Sequence, residues 1–519
     1  MAEGFMTHRW WTLGVVCTGV FMLLLDITIV NVALPDIAGA FGATLSGLQW
    51  VIDAYALALA ALLLTAGILA DRSGRKLLFL IGIGVFTVGS LLCGTSPGIV
   101  FLSIARAFQG IGGAIMFATS LAMLSESFKG AERGIAFGVF GAITGMAVAI
   151  GPVIGGALVS GLGWRWIFLV NIPVGIIVFV VTILRVGESR DPSPRRLDML
   201  GFMTFSTGLA ALIFGLIRSN TSGWGSFTVV GSLVAAVVLL AGFIAAEIAQ
   251  RDPMFDLRLL RVPTFDGGLV AAFGISASIF SAFTYTILFV QDILGLSALS
   301  TGVRFLPLSV SIFVAAGIAG RLTSVLPKRL LIAPGFVLIG VGLLLMRGLT
   351  PTSGWVHLLP GMIVGGIGAG LVNVPLVATA VGVVDPRRAG MASGINSTFR
   401  QIGIATGIAV LGAVFIARIR STVIAQLAGT VLADRSHEIA VAAASGRIGL
   451  TLSFLPESQR PLVAVVTRTG FVDGLNLILL IAALLAFAGA ILSFFLIRER
   501  DFVADQGRGA KLTKPQVPV

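Results

Sequence analysis

Two ionisable residues lie deep inside long apolar stretches of the chain. Asp26 is nine residues before Pro35, and Arg106 is nine residues after Pro97. At about 1.5 Å per helical residue, both lie roughly 13 Å from the same end of their helices, near the middle of a bilayer. Equal depth predicts that the carboxylate and the guanidinium meet. They could form a structural ion pair, or Asp26 could take up and release a proton while Arg106 tunes it by charge.

Further polar residues extend this candidate site. Asp53 falls one turn inside the second apolar stretch, as a second proton or cation site or as a water-facing helix end. Arg400 is again near mid-depth, and we expect it to face a cavity or to pair across the molecule. Asp292 lies nearer a surface, where it is a gate contact or a solvated helix end. The candidates for substrate contact or gating are Asn31, Tyr55, Gln109, Asn373, Arg400, Gln401 and Asp292.

The composition indicates which structural elements position these residues. The 519-residue chain is 57% hydrophobic and 11% charged, with a mean hydropathy of +1.04, whereas soluble domains are about 25% charged. Apolar runs of 18 residues or more recur along the whole chain, and each can cross a bilayer as a helix. We count fourteen such runs. The sequence therefore predicts an all-α polytopic membrane protein with 14 transmembrane helices.

The net charge of +12 is explained by orientation in a membrane. About two thirds of the 35 basic residues fall in connections that face one side, and this bias predicts that both termini are cytoplasmic. No basic domain with interleaved aromatic residues is present to bind nucleic acid. Cys17 and Cys93 lie within apolar runs, and no residues have the spacing of metal ligands or of a nucleotide-binding loop. We expect no cofactor, no metal and no enzymatic activity.

An internal repeat divides the chain. Asp36 and Asp292, and likewise Gly110 and Gly366, are 256 residues apart, and several glycines of residues 134–156 recur at the same offset. Two parallel repeats can enclose a central cavity. The predicted parts are an N-terminal six-helix half (1–184), a linker with two inserted helices (185–264), a C-terminal six-helix half (265–497) that includes a long outer loop (417–470), and a cytoplasmic tail (498–519).

Two glycine-containing segments have defined structural requirements. In residues 67–76, GILADRSGRK, Gly74 permits positive φ at a tight turn, and Asp71 is suited to a helix N-terminus, where the helix dipole favours a carboxylate. In residues 134–156, glycines recur on one predicted helical face and allow close approach of a second helix. Pro152 interrupts that helix, and because Ile408 stands at the repeated position, we expect Pro152→Ala to impair transport without preventing insertion.

These segments carry a family resemblance. Residues 67–76 resemble the signature loop of the major facilitator superfamily. Residues 25–35, LDITIVNVALP, and 102–114, LSIARAFQGIGGA, resemble the first-helix and fourth-helix motifs of its fourteen-helix drug:proton antiporter family. Residues 138–156 resemble that family's antiporter motif, with Ala147 in place of one glycine. The resemblance implies conformational roles for Gly67, Asp71, Arg72, Gly74, Arg75, Gly151, Pro152, Gly155 and Gly156.

The resemblance implies the major facilitator fold and a proton-coupled exporter of amphiphilic, often cationic drugs or toxic compounds, working by alternating access as a monomer in the plasma membrane. Its partners would be a small-molecule substrate, protons and the lipid bilayer. The proton-coupling residues would be Asp26, Asp53 and Arg106. Two alternatives remain open: a dedicated exporter of one endogenous metabolite, antibiotic or lipid, and a non-transporting membrane sensor or scaffold.

Overall fold

A computed structural model of the protein describes most of the chain: residues 2–43, 45–128, 131–189, 198–250, 255–323, 325–384, 389–444 and 456–502. All regular secondary structure within these ranges is helical. The side chains of Asn31, Pro152 and Asp292, three residues singled out by the sequence, lie outside the described part of the structure.

Fourteen long helices organise the described residues. The N-terminal half comprises α1 (Ala2–Phe41), α2 (Leu45–Ser73), α3 (Arg75–Gly94), α4 (Ile99–Ser127), α5 (Ala131–Leu162) and α6 (Asn171–Arg185). The two inserted helices are α7 (Met199–Ser222) and α8 (Phe227–Ala249). The C-terminal half comprises α9 (Pro263–Ile275 and Ser281–Leu288, joined by the π-helical turn Ser276–Phe280), α10 (Ala298–Leu322), α11 (Arg329–Leu345), α12 (Leu359–Gly382), α13 (Ala389–Leu427) and α14 (Arg460–Leu496).

Length and hydropathy agree with the predicted membrane spans. Twelve helices in the described part of the chain are long and apolar enough to cross a membrane. The other two predicted spans correspond to α5, which is 32 residues long, and α11, which is 17 residues long. Because a helix of about 17 residues is at the lower limit for crossing the hydrocarbon core, the predicted fourteen spans are compatible with the structure.

The range 417–470 contains more helix than the sequence indicated. Helix α13 continues to Leu427, α14 begins at Arg460, and a short helix spans Ser436–Ala444 between them. Ile419 and Val423 of α13 are buried, and a β-carbon added at Gly470 of α14 would lie 3.2 Å from Val423. The apolar stripe on these extensions explains why they remain helical, because each buries the other.

Helix packing reproduces the internal repeat. In the N-terminal half, α2 packs on α4, α3 packs on α4 and α6, and α1 packs on α5. The corresponding contacts in the C-terminal half join α10 to α12, α11 to α12 and α14, and α9 to α13. The halves meet where α5 packs on α10 and where α2 packs on α13. The inserted helices pack on each other, and α7 contacts α2 and α13. The predicted all-α fold is therefore confirmed, and these contacts are compatible with two six-helix halves and two inserted helices.

Glycines allow the close contacts between these helices, but those of α5 do not share one face. A β-carbon added at Gly138 would lie 3.3 Å from Gly320 of α10, whereas one added at Gly151 would overlap the Thr28 hydroxyl of α1. Gly155 also faces α1, at Ile29. The offset of thirteen residues from Gly138 to Gly151 brings them to different sides of the helix. Helix α5 thus joins α1 within its own half to α10 of the other half.

Candidate functional site

The predicted pair of Asp26 and Arg106 forms in the centre of the N-terminal half. Nη1 of Arg106, on α4, donates to Oδ2 of Asp26, on α1, at 2.5 Å. Both residues are 1% exposed, so water does not screen the contact. Arg106 Nε also donates to the carbonyl oxygen of Val51 on α2, at 3.1 Å. The guanidinium therefore links three helices.

Two amide side chains complete the surroundings of the Asp26 carboxylate. Gln109 Nε2 and Asn171 Nδ2 each donate to Asp26 Oδ1 at 3.0 Å. Both amides also contact the Ser90 hydroxyl of α3, at 2.8 and 3.4 Å. Neither Asn171 nor Ser90 is among the site residues predicted from the sequence. The signal for Asn171 was a buried amide at the start of α6 within an otherwise apolar segment.

Aromatic rings enclose this network. The guanidinium carbon of Arg106 lies 4.1 Å from the ring centre of Tyr55 and 5.7 Å from that of Phe168. Tyr55 and Gln109, expected as substrate-contact candidates, thus belong to the buried network around Asp26. Their contact with substrate stays a prediction.

The arrangement holds the negative charge of the Asp26 carboxylate, which is also a group that can accept a proton. The Asp26 carboxylate accepts from two amides and from one buried guanidinium, and this ion pair and these hydrogen bonds offset the cost of its desolvation. A proton on Oδ2 would take the place of the hydrogen bond from Arg106 Nη1, which links α4 to α1, while the guanidinium would keep its bonds to the Val51 carbonyl oxygen and to Gln109 Oε1. Protonation of Asp26 would therefore loosen contacts among helices of the N-terminal half.

Asp53 lies apart from this network, near one end of α2. It is partly buried, and Arg218 of the inserted helix α7 lies close enough to interact with its charge. The Arg218 guanidinium stacks 4.8 Å from the ring centre of Trp50. Asp53 is therefore positioned between the N-terminal half and the inserted helices.

Asp71 connects the two halves at the opposite end of α2, which we call the Asp71 end. Its Oδ1 accepts hydrogen bonds from Arg75 Nε and Nη2 at 3.0 and 2.9 Å, and its Oδ2 accepts one from the backbone N–H of Met391 at 3.0 Å. Met391 lies in the first turn of α13, where unpaired N–H groups and the helix dipole attract a carboxylate. Asp71 does occupy a helix N-terminus, and that helix belongs to the other half.

The turn beside Asp71 depends on Gly74. Its φ is +112°, a conformation open to glycine, as the sequence predicted. The start of α3 is capped by Glu188, whose carboxylate accepts from the backbone N–H groups of Lys76 and Leu77, both at 3.0 Å. Of the other residues in this motif, Gly67 is buried and Arg72 is partly buried. Gly156, in the α5 motif, is also partly buried.

A cavity lies between the halves. Helices α4 and α5 line it from the N-terminal half, and α12 and α13 line it from the C-terminal half. Two of the expected residues, Asn373 and Arg400, contribute to its surface, whereas Gln401 is partly buried and is not among the described lining residues. The described lining residues are Phe117, Leu121, Phe137, Phe140, Gly141, Thr144, Asn373, Val377, Asn396, Ser397 and Arg400.

Within the described part of the chain, no group of three or more His, Cys, Asp or Glu side chains is arranged to hold a metal ion. Cys17 and Cys93 are both buried as free thiols.

The helix order, the packing of the halves and the position of the cavity can be compared with known proteins. The family model described as Major Facilitator Superfamily matches residues 16–408. The chain belongs to the major facilitator superfamily. Its members are membrane transporters, so the protein is a multi-pass transporter of small molecules and not an enzyme.

Relatives and solved structures agree with this assignment. The chain is similar to the multidrug resistance protein Stp of Mycobacterium tuberculosis, with 36% identity over 405 residues that cover 78% of this chain and 75% of the relative. It is 34% identical over 454 residues to the "Probable actinorhodin transporter" of Streptomyces coelicolor, covering 84% and 78%. The crystal structure of the human organic anion transporter MFSD10 shares the fold, with a TM-score of 0.62, 16% identity and coverage of 94% and 99%.

Proposed function

We propose that this transporter is a proton-coupled antiporter that exports amphiphilic compounds by alternating access. The observation that carries the proposal is the cavity between the two repeated halves, to which each half contributes two helices. A site shared by two bodies opens towards one side or the other as those bodies rock about it. The relatives named for multidrug resistance and for transport of one antibiotic support export of toxic organic compounds.

The coupling site in this proposal is Asp26. Its carboxylate is charged and fully partnered when deprotonated, and a proton would remove the bond that Arg106 donates to Oδ2. Because Arg106 also donates to the Val51 carbonyl oxygen on α2, proton binding would change how α1, α2 and α4 are held. The proton thus acts on the packing of the N-terminal half, and Asp26 is not among the described residues that line the cavity. Asp53, beside Arg218, is the second candidate for proton binding.

The orientation in this proposal follows from charge. The basic connections of the Asp71 end face the cytoplasm, both termini lie on that side, and the membrane is the plasma membrane. Substrate enters the cavity from the cytoplasmic side and leaves outward. The hydrogen bond between Asp71 and the Met391 N–H then closes the cytoplasmic side.

A dedicated exporter of one compound is the second candidate. The relative named as an actinorhodin transporter favours it, because that name gives a single substrate. A sensor or scaffold is less well supported, because such a protein needs neither an ion pair at mid-depth nor a cavity between its halves. Substrate-stimulated proton movement distinguishes transport from both sensing and scaffolding.

The proposal is tested in proteoliposomes with an imposed pH gradient and a panel of aromatic substrates. The wild-type chain should accumulate substrate against its gradient. Asp26→Asn should bind substrate and equilibrate it, but should not accumulate it. Asp473→Asn is the matched control, since Asp473 pairs with Arg418 in a partly exposed position. Accumulation by Asp26→Asn at the wild-type level would exclude Asp26 as the coupling residue.

A further inference from the structure

The lining of the cavity follows the internal repeat residue by residue. Ten of its eleven described lining residues form five pairs whose members are 256 residues apart, which is the offset of the repeat. The axis that relates the two halves therefore passes through the cavity. The pairs are Phe117 with Asn373, Leu121 with Val377, Phe140 with Asn396, Gly141 with Ser397, and Thr144 with Arg400.

The two members of a pair differ in chemistry, and nearly always in the same direction. The N-terminal half supplies two phenylalanines where the C-terminal half supplies two asparagines, a glycine where it supplies a serine, and a threonine where it supplies an arginine. We call the lining from α4 and α5 the aromatic wall and the lining from α12 and α13 the polar wall. On the aromatic wall the ring centres of Phe117 and Phe140 are 6.4 Å apart.

Several buried polar atoms of the polar wall have no hydrogen-bond partner among the described residues. Oδ1 of Asn373, Nδ2 of Asn396 and Oγ of Ser397 are buried and make no hydrogen bond to the described residues. Among the ion pairs of the described chain, none involves Arg400. The nearest aromatic contact of its guanidinium is Phe280, at 5.9 Å from the ring centre. An unpaired guanidinium inside a membrane protein is costly, so a ligand that supplies the missing negative charge gains from it.

The charge of the cavity is set by Arg400 alone among its described lining residues, since none of these is acidic. Asp26 does not compensate, because its carboxylate is already bound by Arg106, Gln109 and Asn171. A cationic ligand could stack on the phenylalanine faces, but in a low-dielectric cavity it would be repelled by the guanidinium. The side chains of the two walls match the chemistry of a flat ring system with an anionic or acceptor-rich edge, and the cavity, about 20 Å³ in this conformation, must widen to admit it.

From this asymmetry we infer that the substrate of the proposed transporter is an aromatic organic anion, with its ring on the aromatic wall and its carboxylate or phenolate on Arg400. The inference rests on the proposed function, because only a transporter has a substrate to carry. The negative charge that it assigns to the substrate is opposite to the positive charge that the family resemblance implied. Asn396 lies one helical turn before Arg400 on α13 and can donate to the same anionic group.

Binding to the purified full chain tests the inference with three probes that share one ring and differ in charge: 9-anthroate, 9-anthracenemethanol and (9-anthracenylmethyl)trimethylammonium. Fluorescence polarisation should show the anion binding at least about tenfold more tightly than the cation, as one charge-assisted hydrogen bond implies. Arg400→Gln should weaken anthroate by about the same factor and leave the neutral probe unchanged. Arg304→Gln, which alters an arginine outside the described lining, is the matched control.

A second variant keeps the test valid if Arg400→Gln does not fold. Thr144→Glu places a carboxylate on the facing wall, where it would pair with Arg400 and exclude anthroate while admitting the cationic probe. Equal or tighter binding of the cation by the wild-type chain would overturn the inference, as would equal weakening of all three probes by Arg400→Gln. These measurements require no proton gradient. Loss of uphill transport would therefore contradict the proposed function alone, and a reversed charge preference would contradict this inference alone.

Discussion

At the scale of single residues, the buried carboxylate of Asp26 is matched by donors from three other side chains. Each unpaired polar atom in such a setting would cost about 1–3 kcal/mol. The amides of Gln109 and Asn171 therefore stabilise the fold by satisfying the carboxylate oxygens, and the guanidinium of Arg106 balances the negative charge. The depth argument predicted the contact between Asp26 and Arg106, because both residues could be placed from their own helix ends. Depth alone could not find Asn171 or Ser90, which are polar residues of ordinary type in apolar segments.

The contribution of Asn171 can be measured directly. Asn171→Leu removes one donor from Asp26 Oδ1 and leaves Ser90 with one fewer contact. We expect the free energy of unfolding to fall by about 1–3 kcal/mol, read as a lower unfolding temperature of the purified protein in detergent. Ser103→Ala is the control, because among the described residues the Ser103 hydroxyl bonds only to the Ile99 carbonyl oxygen of its own helix. An unfolding temperature equal to that of wild type would mean that the network tolerates a missing donor.

At the scale of helices, α5 shows how one segment packs against two different neighbouring helices. Its first part packs on α10 of the other half through Gly138, and its later part packs on α1 through Gly151 and Gly155. The sequence predicted close packing at these glycines but placed them on one face. Which neighbour each glycine meets depends on the tertiary arrangement, which the spacing of small residues does not specify. The same limit applies to α13 and α14, whose mutual burial extends them into a predicted loop.

The contact between α5 and α1 gives a steric prediction. Gly151→Ala would make a β-carbon overlap the Thr28 hydroxyl, so α1 and α5 must separate. We expect destabilisation by about 1–3 kcal/mol, measured by thermal unfolding in detergent. Gly161→Ala on the same helix is the control, because a β-carbon there meets nothing within 4 Å. Thr28→Ala combined with Gly151→Ala should recover part of the loss, and a double variant no more stable than Gly151→Ala would contradict this account.

At the scale of the whole molecule, the repeat organises both the frame and the cavity. The offset of 256 residues predicted two six-helix halves, and glycines at that offset make corresponding contacts: Gly138 meets Gly320, and Gly394 meets Leu64, which is 256 residues before Gly320. The offset could not reveal the cavity, because the paired lining residues differ in type. A search for identical residues passes over positions that have diverged. Only the packed helices show that these divergent positions surround one space.

The link between the halves at the Asp71 end is testable by accessibility. Asp71→Ala removes the acceptor for the Met391 N–H and one of the two described acidic partners of Arg75, so the cavity should open more often towards this end. A cysteine introduced at Thr144 should then react faster with a thiol reagent supplied from that side, and the native cysteines, both buried, add little background.

Glu126→Gln is the matched control for this experiment. Glu126 also pairs with Arg75, at 3.4 Å, but none of its described contacts reaches the other half. It should leave the labelling rate at Thr144→Cys unchanged. Equal rates for Asp71→Ala and the background protein would show that the hydrogen bond to α13 does not hold the halves together.

The division of the cavity between its two walls has a consequence for release. A ligand that stacks on the aromatic wall and is held by Arg400 is attached to both halves at once, so it draws them together for as long as it stays bound. When the halves part, the ligand cannot keep both attachments, and it is left on a single wall with about half of its contacts. The motion that exposes the ligand would also weaken its binding, and no separate ejecting group would be required.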